Sequence, residues 1–377
     1  MHYLDNAATT PVREDAAKAA YDAMVNGWGN PSARYALGAE MTAKVKGWRQ
    51  DVAKALGCGE DELIFTSCGT ESDNWAIRAA VEINKRRGKH IITTAIEHSA
   101  VIEPCKALEK QGYEVTYLQP DRQGNITVEQ VEEALREDTV LVSMMLVNNE
   151  TGSVLPVAEV GKLLKRKKSA ALLHCDAVQG FLKVEFTPAK LGVDFLALSA
   201  HKIHAPKGVG AMYVRKGIKL PPMILGGGQE NGLRSGTEAT AQMAAFAVAA
   251  REGKAHLKEN LAHMEAINAY ARERLAEIPS LQLLTEKGAP HILPVSLVGY
   301  KSEVIVRYLS DRGIYVSSGS ACHKGKPSRV YAALKLPKPV QDGVLRVSFS
   351  YDTTREDVDA LAEGLQSAQR ELFTSLS

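Results

Sequence analysis

The chain has 377 residues, of which 45% are hydrophobic and 24% are charged, so its composition is that of an ordinary globular protein with two or three domains. Its 46 basic and 44 acidic residues leave a formal net charge of +2, and this balance indicates neither a nucleic-acid partner nor a membrane surface. The N-terminus lacks the basic and apolar regions of a signal peptide, and the longest apolar run, residues 140–147, is far too short to cross a bilayer, so we expect a cytoplasmic protein.

From residue 63 onward, strand-like and helix-like segments alternate. The predicted strands are residues 63–66, 90–94, 114–118, 139–147, 170–174, 195–199 and 211–214. The predicted helices between them are residues 71–87, 100–111, 128–135 and 157–167. Largely apolar strands in such an alternation are typical of a mainly parallel sheet with helices on both faces.

The pattern changes after about residue 240. A long helical stretch, residues 241–278, leads into the short strands 293–298 and 344–349 and the helices 302–312 and 355–373. This part of the chain reads as an α+β unit. We therefore predict a large α/β domain followed by a smaller C-terminal domain, with the functional site between them.

A strand runs through a short turn into a helix at residues 65–74. This geometry points backbone N–H groups and the positive end of a helix at an anion. Gly69 permits a close backbone approach, and Thr70 can donate a hydroxyl hydrogen bond. For the turn alone an ordinary capped helix is the favoured interpretation, and the segment is neither a Walker loop nor a GxGxxG motif.

Two polar residues follow apolar strands further along the chain. Lys202 comes soon after strand 195–199, close to Ser199 and His201. A partly desolvated lysine there would have a lowered pKa and could form a Schiff base, although most strand-end lysines are simply solvated. Asp176 follows the strand at 170–174, where it could keep a pyridinium nitrogen protonated or merely cap the next turn.

Further motifs stand in the same order along nearly the whole chain. They are YLDNAATTP at 3–11, GNPS at 29–32, TESDN at 70–74, EH at 97–98, VNNETG at 147–152, DAVQ at 176–179, SAHK at 199–202, GGGQE at 226–230, RSGT at 234–237 and SSGSAC at 317–322. In this set and order the chain resembles the NifS/IscS-type cysteine desulfurases, in the class V aminotransferase branch of the fold-type I pyridoxal-phosphate (PLP) enzymes.

The resemblance implies a fold and a division into domains. The fold would be α/β of fold-type I, a large domain with a mainly parallel seven-stranded sheet between helices plus a smaller C-terminal α+β domain. The large domain would span residues 12–250. Residues 1–11 and 251–377 would form the small domain, which would carry the loop with the catalytic cysteine.

The resemblance also implies a role for each motif residue. Lys202 would form the Schiff base with PLP, and His98 would stack on the ring and shuttle protons. Asp176 would pair with the pyridine nitrogen and Gln179 with the phenolic oxygen. The phosphate would be bound by Gly69, Thr70, Ser199 and His201, and by Thr237 of the neighbouring subunit, which implies a homodimer. Arg346 would hold the carboxylate of L-cysteine, and Asn149 would contact both substrate and cofactor.

Cys322 would be the nucleophile of the family reaction. As a thiolate it would attack the substrate sulfur, giving a persulfide and alanine, and would pass the sulfur to an acceptor protein in iron–sulfur cluster assembly or a thiolation pathway. The flanking His323, Lys324, Lys326 and Arg329 would favour the thiolate. The five cysteines of the chain lack CxxC spacing, so neither a structural zinc site nor a disulfide framework is expected.

The chain also departs from the family pattern. The segment after Cys322 is slightly shorter and more basic than is usual, and Tyr35 stands where many relatives have a histidine. These differences suggest a divergent subgroup with a dedicated partner. The alternatives are a selenocysteine lyase, another class V aminotransferase-type reaction, and a non-catalytic scaffold, the last disfavoured because Lys202, Asp176, His98 and Arg346 are all present.

Overall fold

A computed structural model of the chain describes residues 1–318 and 328–374. The predicted nucleophile Cys322 and its neighbours His323, Lys324 and Lys326 lie outside the described residues.

Short strands form three sheets in the described part of the chain. In chain order the strands are β1 (His2–Tyr3), β2 (Leu63–Thr66), β3 (His90–Thr94), β4 (Glu114–Leu118), β5 (Thr139–Ser143), β6 (Leu172–Asp176), β7 (Phe195–Ser199), β8 (Gly210–Val214), β9 (Leu281–Leu283), β10 (Ile292–Leu297), β11 (Ile314–Tyr315) and β12 (Val344–Ser348).

Helices connect these strands. The helices are α1 (Glu14–Val25), α2 (Ala36–Leu56), α3 (Gly69–Ile83), α4 (Ser99–Glu109), α5 (Val128–Ala134), α6 (Val157–Arg166), α7 (Pro188–Leu191), α8 (Thr240–Ala255), α9 (Leu257–Ala276), α10 (Ser302–Ser310), α11 (Arg329–Ala333), α12 (Lys338–Asp342) and α13 (Arg355–Glu371). Each of them is too short or too polar to span a bilayer.

The largest sheet has seven strands in the spatial order β2-β8-β7-β6-β5-β3-β4. Strand β8 runs antiparallel to β2 and β7, and the other neighbouring pairs are parallel. All of its strands except β4 are almost entirely buried, as expected for a sheet covered on both faces. The predicted α/β fold with a mainly parallel seven-stranded sheet is confirmed.

Several predicted boundaries were wrong. The apolar run 139–147 is assigned as a strand only to Ser143, although the Met144 and Leu146 N–H groups still donate to the His174 and Asp176 carbonyl oxygens of β6. The strand expected at 170–174 lies at Leu172–Asp176, so Asp176 is its last residue rather than a loop residue. The helical stretch 241–278 is two helices, because the backbone at His256 (φ −103°, ψ 15°) leaves the helical region.

Three hydrophobic clusters hold most of the apolar interior in the described residues. Two of them pack against the seven-stranded sheet, one including Phe65, Leu196 and Phe246 and the other including Trp75 and Phe195. The third joins α9, α10 and α13 to the sheet β12-β10-β9. Strand β1 pairs in parallel with β11, which ties the N-terminal segment to the C-terminal part. The domain bounds 12–250 and 1–11 with 251–377 remain a prediction.

Candidate active site

The carboxyl ends of β6 and β7 form the floor of the candidate site. The two strands are parallel neighbours, with Asp176 opposite Ala197. Asp176 ends β6, Ser199 ends β7, and a short 3-10 turn (Ala200–Lys202) follows β7 directly. Because parallel strands present their carboxyl ends at one edge of a sheet, the apolar sequences of β6 and β7 bring Asp176 and Lys202 to the same edge.

The N-terminal segment crosses this edge and supplies hydrogen-bond acceptors. The Lys202 Nζ donates to the carbonyl oxygens of Ala7 and Ala8, at 2.7 Å each. The Gln179 Nε2 donates to the same Ala7 oxygen at 2.8 Å, while the Gln179 Oε1 is buried without a partner in the described residues. The motif at 3–11 thus holds two predicted cofactor residues in place, a role that sequence reasoning did not assign to it.

Asp176 is buried, and its Oδ1 accepts a hydrogen bond from the Val178 N–H at 2.9 Å. Burial raises the pKa of its carboxyl group, and the charges of His98 and Lys202 oppose that rise. These opposing effects mark His98, Asp176 and Lys202 as electrostatic neighbours. The structure therefore brings the three residues together, as the resemblance implied.

His98 caps the N-terminus of α4. Its Nδ1 accepts a hydrogen bond from the Ala100 N–H at 3.2 Å. Burial lowers the pKa of His98, with the charges of Lys202 and Arg329 also lowering it and Asp176 opposing. The imidazole is therefore neutral near pH 7, and because Nδ1 is an acceptor, its proton is on Nε2.

More buried carboxyl groups lie near Asp176 than the sequence analysis identified. Burial and the charges of Asp176 and Glu97 raise the pKa of Asp73, whose Oδ1 lies 3.3 Å from the His174 Nε2. Burial raises the pKa of Glu97 to about 8. Glu97 stands in the EH motif beside His98, so the motif itself was a signal. Asp73 has only its place in the TESDN motif on α3 to mark it.

Gly69 is the first residue of α3, and it brings the start of this helix against the ends of β6 and β7. A Cβ at this position would lie 2.5 Å from the Val178 Cγ2 and 3.5 Å from the Ser199 Cβ, so a larger residue does not fit. Ser199 is buried and Thr70 is exposed. The start of α3 therefore lies at the end of β7, directly before the turn that carries Lys202.

His201 and Thr237 differ in how closely they are tied to this site. The His201 Nδ1 lies 3.1 Å from the Thr9 Oγ1, and burial lowers the pKa of His201 to about 4. Thr237 is exposed, and no hydrogen bond in the described residues joins it to the other candidate residues. The site of a single chain thus includes His201 but not Thr237.

Arg346, on β12, closes the site from the C-terminal side. Its side chain is buried, its Nη1 donates to the Asn149 carbonyl oxygen at 2.9 Å, and its Nη2 donates to the Asp5 Oδ1 at 2.9 Å. The Nε is buried and has no partner in the described part of the chain. The predicted pair Asn149 and Arg346 is therefore in contact, and Asp5 is a third member that sequence reasoning missed.

The chain that follows residue 327 is fixed to the wall of the site. The Arg329 guanidinium donates to the backbone carbonyls of Ala95 and Glu97, and the Ser328 hydroxyl donates to the Glu150 carboxylate. The charge of Arg329 therefore acts on His98. Its predicted effect on the Cys322 thiolate remains a prediction.

These features fit an anionic, ring-shaped ligand. Asp176 could pair with a protonated ring nitrogen. The Gln179 Oε1, which is buried without a partner in the described residues, could contact the same ligand. The N-terminus of α3, which Gly69 brings against Val178 and Ser199, could bind an anion, and the Arg346 Nε has no partner in the described residues and could bind a carboxylate.

Comparison with known proteins extends this likeness over almost the whole chain. The aminotransferase class-V family matches residues 2–361. Cysteine desulfurase IscS of Methanosarcina thermophila is 39% identical over 366 residues, which cover 96% of this chain and 90% of that protein. The structure of a NifS-like protein superposes with a TM-score of 0.93 at 36% identity, covering 98% of this chain and 99% of that one. SspA in complex with cysteine superposes with a TM-score of 0.82 at 31% identity, covering 94% and 100%.

Proposed function

The chain belongs to the aminotransferase class-V family and, within it, to the cysteine desulfurases, and from this premise we propose how its residues take sulfur from L-cysteine and release alanine. The observation that carries the proposal is the grouping of Lys202, Asp176 and His98 at the carboxyl edge of the sheet. An amine, a buried carboxyl group and a neutral imidazole in one place are the groups that a PLP enzyme needs.

PLP fits the cradle that these residues form. Lys202 would hold the cofactor through its aldehyde carbon, Asp176 would face the ring nitrogen, and Gln179 would face the phenolic oxygen. The groups around the phosphate would be Gly69, Thr70, Ser199 and His201. When bound, PLP supplies an electron sink for the charge that is left at the substrate's Cα once its proton is removed.

The substrate would be oriented by Arg346 and Asn149. The unpartnered Arg346 Nε and one Nη group can form the two-pronged contact that a guanidinium makes with a carboxylate. Such a contact fixes the Cα of L-cysteine over the edge of the sheet near Lys202 and His98. His98, neutral and protonated at Nε2, would hold and pass on a proton there.

Sulfur would leave as the persulfide of Cys322, which the SSGSAC motif supports. The Cys322 thiolate would attack the substrate sulfur, so that an S–S bond forms as the substrate's Cβ–S bond breaks. The electron pair of the broken bond stays with Cβ, which takes a proton to become the methyl group of alanine. No external oxidant is needed, because Cβ is reduced by the same electron pair that the transferred sulfur loses.

We also infer a homodimer and a sulfur-acceptor protein. Large apolar side chains are exposed on one face, with Trp28 at 70%, Tyr35 at 60% and Leu225 at 83%. The loops that carry them are joined by the hydrogen bond from the Gln229 Nε2 to the Ser32 Oγ at 3.3 Å, and Thr237 follows in the same loop region. This surface would pair with a second copy. Iron–sulfur assembly or thiolation as the destination, and the cytoplasm as the compartment, remain predictions.

The test is a product analysis on PLP-loaded protein. We expect L-cysteine with a thiol reductant to give alanine and sulfide in equal amounts, without any keto acid, and a Cys322→Ala variant to give neither. A Cys58→Ala variant is the matched control and should keep both products. Alanine formation that requires a keto acid would instead indicate transamination, and turnover restricted to selenocysteine would indicate a lyase for that substrate.

A further inference from the structure

A small cavity with a basic wall adjoins Lys202. It has a volume of about 30 Å³, enough for one or two water-sized species, and Lys202 is one of its lining residues. We call it the basic cavity and define it by the polar residues in its wall, which are Arg13, Lys183, Lys202, His204, Asn260, Ser350 and Tyr351. Among the described residues, no carboxylate lines it.

Lys183 is the unusual member of this wall. Its side chain is only 5% exposed, and its Nζ has no hydrogen-bond partner in the described part of the chain. The charged groups that act on it are Lys202 and Arg346, which are both positive. Burying a cation without a counterion costs free energy of desolvation. A bound anion would lower that cost, and the described residues provide no carboxylate at this position.

His291 is a second buried side chain without hydrogen-bond partners in the described residues. It is fully buried, and both of its ring nitrogens lack a partner in the described residues. Burial and the charges of Lys183, Arg346 and Lys202 lower its pKa well below the ordinary value, so it stays neutral. A neutral imidazole cannot compensate the charge of Lys183.

The wall of the basic cavity also offers donors to an anion. The Ser350 Oγ accepts a hydrogen bond from the Asp352 N–H at 3.2 Å, which leaves its own hydrogen available. Arg13 uses its Nε for Asp15, at 2.5 Å, and keeps its other N–H groups. We propose that the basic cavity binds one small monovalent inorganic anion of halide size, with the Lys183 ammonium as its principal contact.

Protonation links this binding to pH. Burial, reinforced by Lys202 and Arg346, lowers the pKa of Lys183 to about 7, and a bound anion would raise it again. The neighbouring histidines have pKa values of about 4 (His201 and His204) or well below the ordinary value (His291), so they stay neutral above pH 6. Anion binding therefore takes up a proton at Lys183 and is tighter at pH 6 than at pH 8.5.

Thermal unfolding of the PLP-loaded protein tests this site. We expect the Tm to rise saturably with sodium bromide when sodium gluconate keeps the ionic strength constant, because gluconate is too large for the cavity. The rise should be larger at pH 6 than at pH 8.5 and absent in a Lys183→Met variant. The exposed Lys190→Met variant should respond as the wild type does. A bromide response that survives in Lys183→Met, or that is equal at the two pH values, overturns the proposal.

A bromide-soaked crystal of the wild-type protein provides an independent test that does not depend on a variant folding. We expect an anomalous peak in the basic cavity at contact distance from the Lys183 Nζ. Water alone at that position, in a crystal where bromide is seen elsewhere, would overturn the proposal.

Discussion

The acidic and basic sides of the candidate site bury their charges in different ways. On the acidic side, Glu97 accepts hydrogen bonds from the Thr94 hydroxyl at 2.8 Å and from a backbone N–H at 3.0 Å, and Asp176 accepts one at 2.9 Å. On the basic side, Lys183 and His291 have no partner in the described residues. Both sides are deeply buried, and the acidic side also has atoms without a partner in the described residues, the Glu97 Oε2 and the Asp73 Oδ1. The difference is that Glu97 and Asp176 each accept at least one hydrogen bond from the chain, whereas the Lys183 amine and the His291 ring make none.

This difference separates what folding prepares from what ligands must complete. Donors fixed by the backbone orient the carboxyl groups before any ligand arrives, which is how preorganised sites stabilise charge without rearrangement. On the basic side, Arg346 is paired with Asp5 but keeps its Nε for a substrate carboxylate, and Lys183 has no counterion among the described residues, where we propose a small inorganic anion. Substitutions on the acidic side should therefore affect mainly kcat, and substitutions on the basic side should affect mainly ligand binding.

The largest effect is expected from the acidic side. Asp176→Asn keeps the size of the side chain and its acceptor for the Val178 N–H, but removes the negative charge that would face the cofactor's ring nitrogen. We expect the kcat for alanine formation to fall roughly 100-fold or more, the size of losing one preorganised electrostatic group, with the absorption spectrum of the bound cofactor altered.

The control for this variant is Asp138→Asn, which changes an exposed carboxylate paired with Arg136. It should leave both kcat and the spectrum as they are. An Asp176→Asn enzyme with wild-type kcat would show that the buried carboxyl group does not tune the cofactor.

Arg346→Lys should have the next largest effect, and it acts on the basic side. A lysine cannot contact the Asn149 carbonyl, Asp5 and a substrate carboxylate in the geometry of a guanidinium. We expect the KM for L-cysteine to rise about 10- to 100-fold, from the loss of a charged hydrogen bond worth about 1.5–3 kcal/mol. Steady-state kinetics checks this, with the surface variant Arg312→Lys as control, and an unchanged KM would place the substrate carboxylate elsewhere.

The two sides also differ in how far the sequence predicts them. Asp176 and Lys202 follow apolar strands, and neighbouring parallel strands must bring their ends together, so their meeting was predictable. Lys183 lies in a segment with no distinctive pattern, and its surroundings include residues far from it in the chain, such as Arg13 and Ser350, that line the same cavity. Helices α1 and α2 precede the predicted alternation, and the division of 241–278 into two helices depends on one backbone conformation at His256.

Gly69→Ala tests the contact between α3 and the ends of β6 and β7. The new methyl group would lie 2.5 Å from the Val178 Cγ2, so backbone or side chains must shift. Overpacking of this kind costs roughly 1–3 kcal/mol. Urea unfolding should show this loss, and PLP should bind more weakly because the anion site at the helix end is displaced.

Gly47→Ala is the matched control for the same change in a helix. A Cβ at Gly47, in the interior of α2, has no atom within 4 Å. The variant should gain about 0.5–1 kcal/mol of unfolding free energy, because alanine loses less conformational entropy than glycine in a helix. Equal effects at Gly69 and Gly47 would show that the close contact at α3 is relaxed in solution.

The pH dependences of stability should have opposite signs on the two sides. Folding raises the pKa of Glu97 from 4.5 to about 8. Between these values the folded state holds a proton that the unfolded state has lost, so stability falls as the pH rises. Folding lowers the pKa of Lys183 from 10.5 to about 7. Between those values only the unfolded state holds the proton, so stability rises with pH.

Urea unfolding at several pH values, in gluconate to keep halides out of the basic cavity, separates the two contributions. Glu97→Gln should remove the part of the slope that falls between pH 4.5 and 8, and Lys183→Met should remove the part that rises above pH 7. Glu129→Gln and Lys190→Met, at exposed positions, should leave the profile as in the wild type. If Lys183→Met left the rising part intact, the amine would already be compensated in the folded protein, and the contrast between carboxyl groups that the chain hydrogen-bonds and an amine that it does not would be wrong.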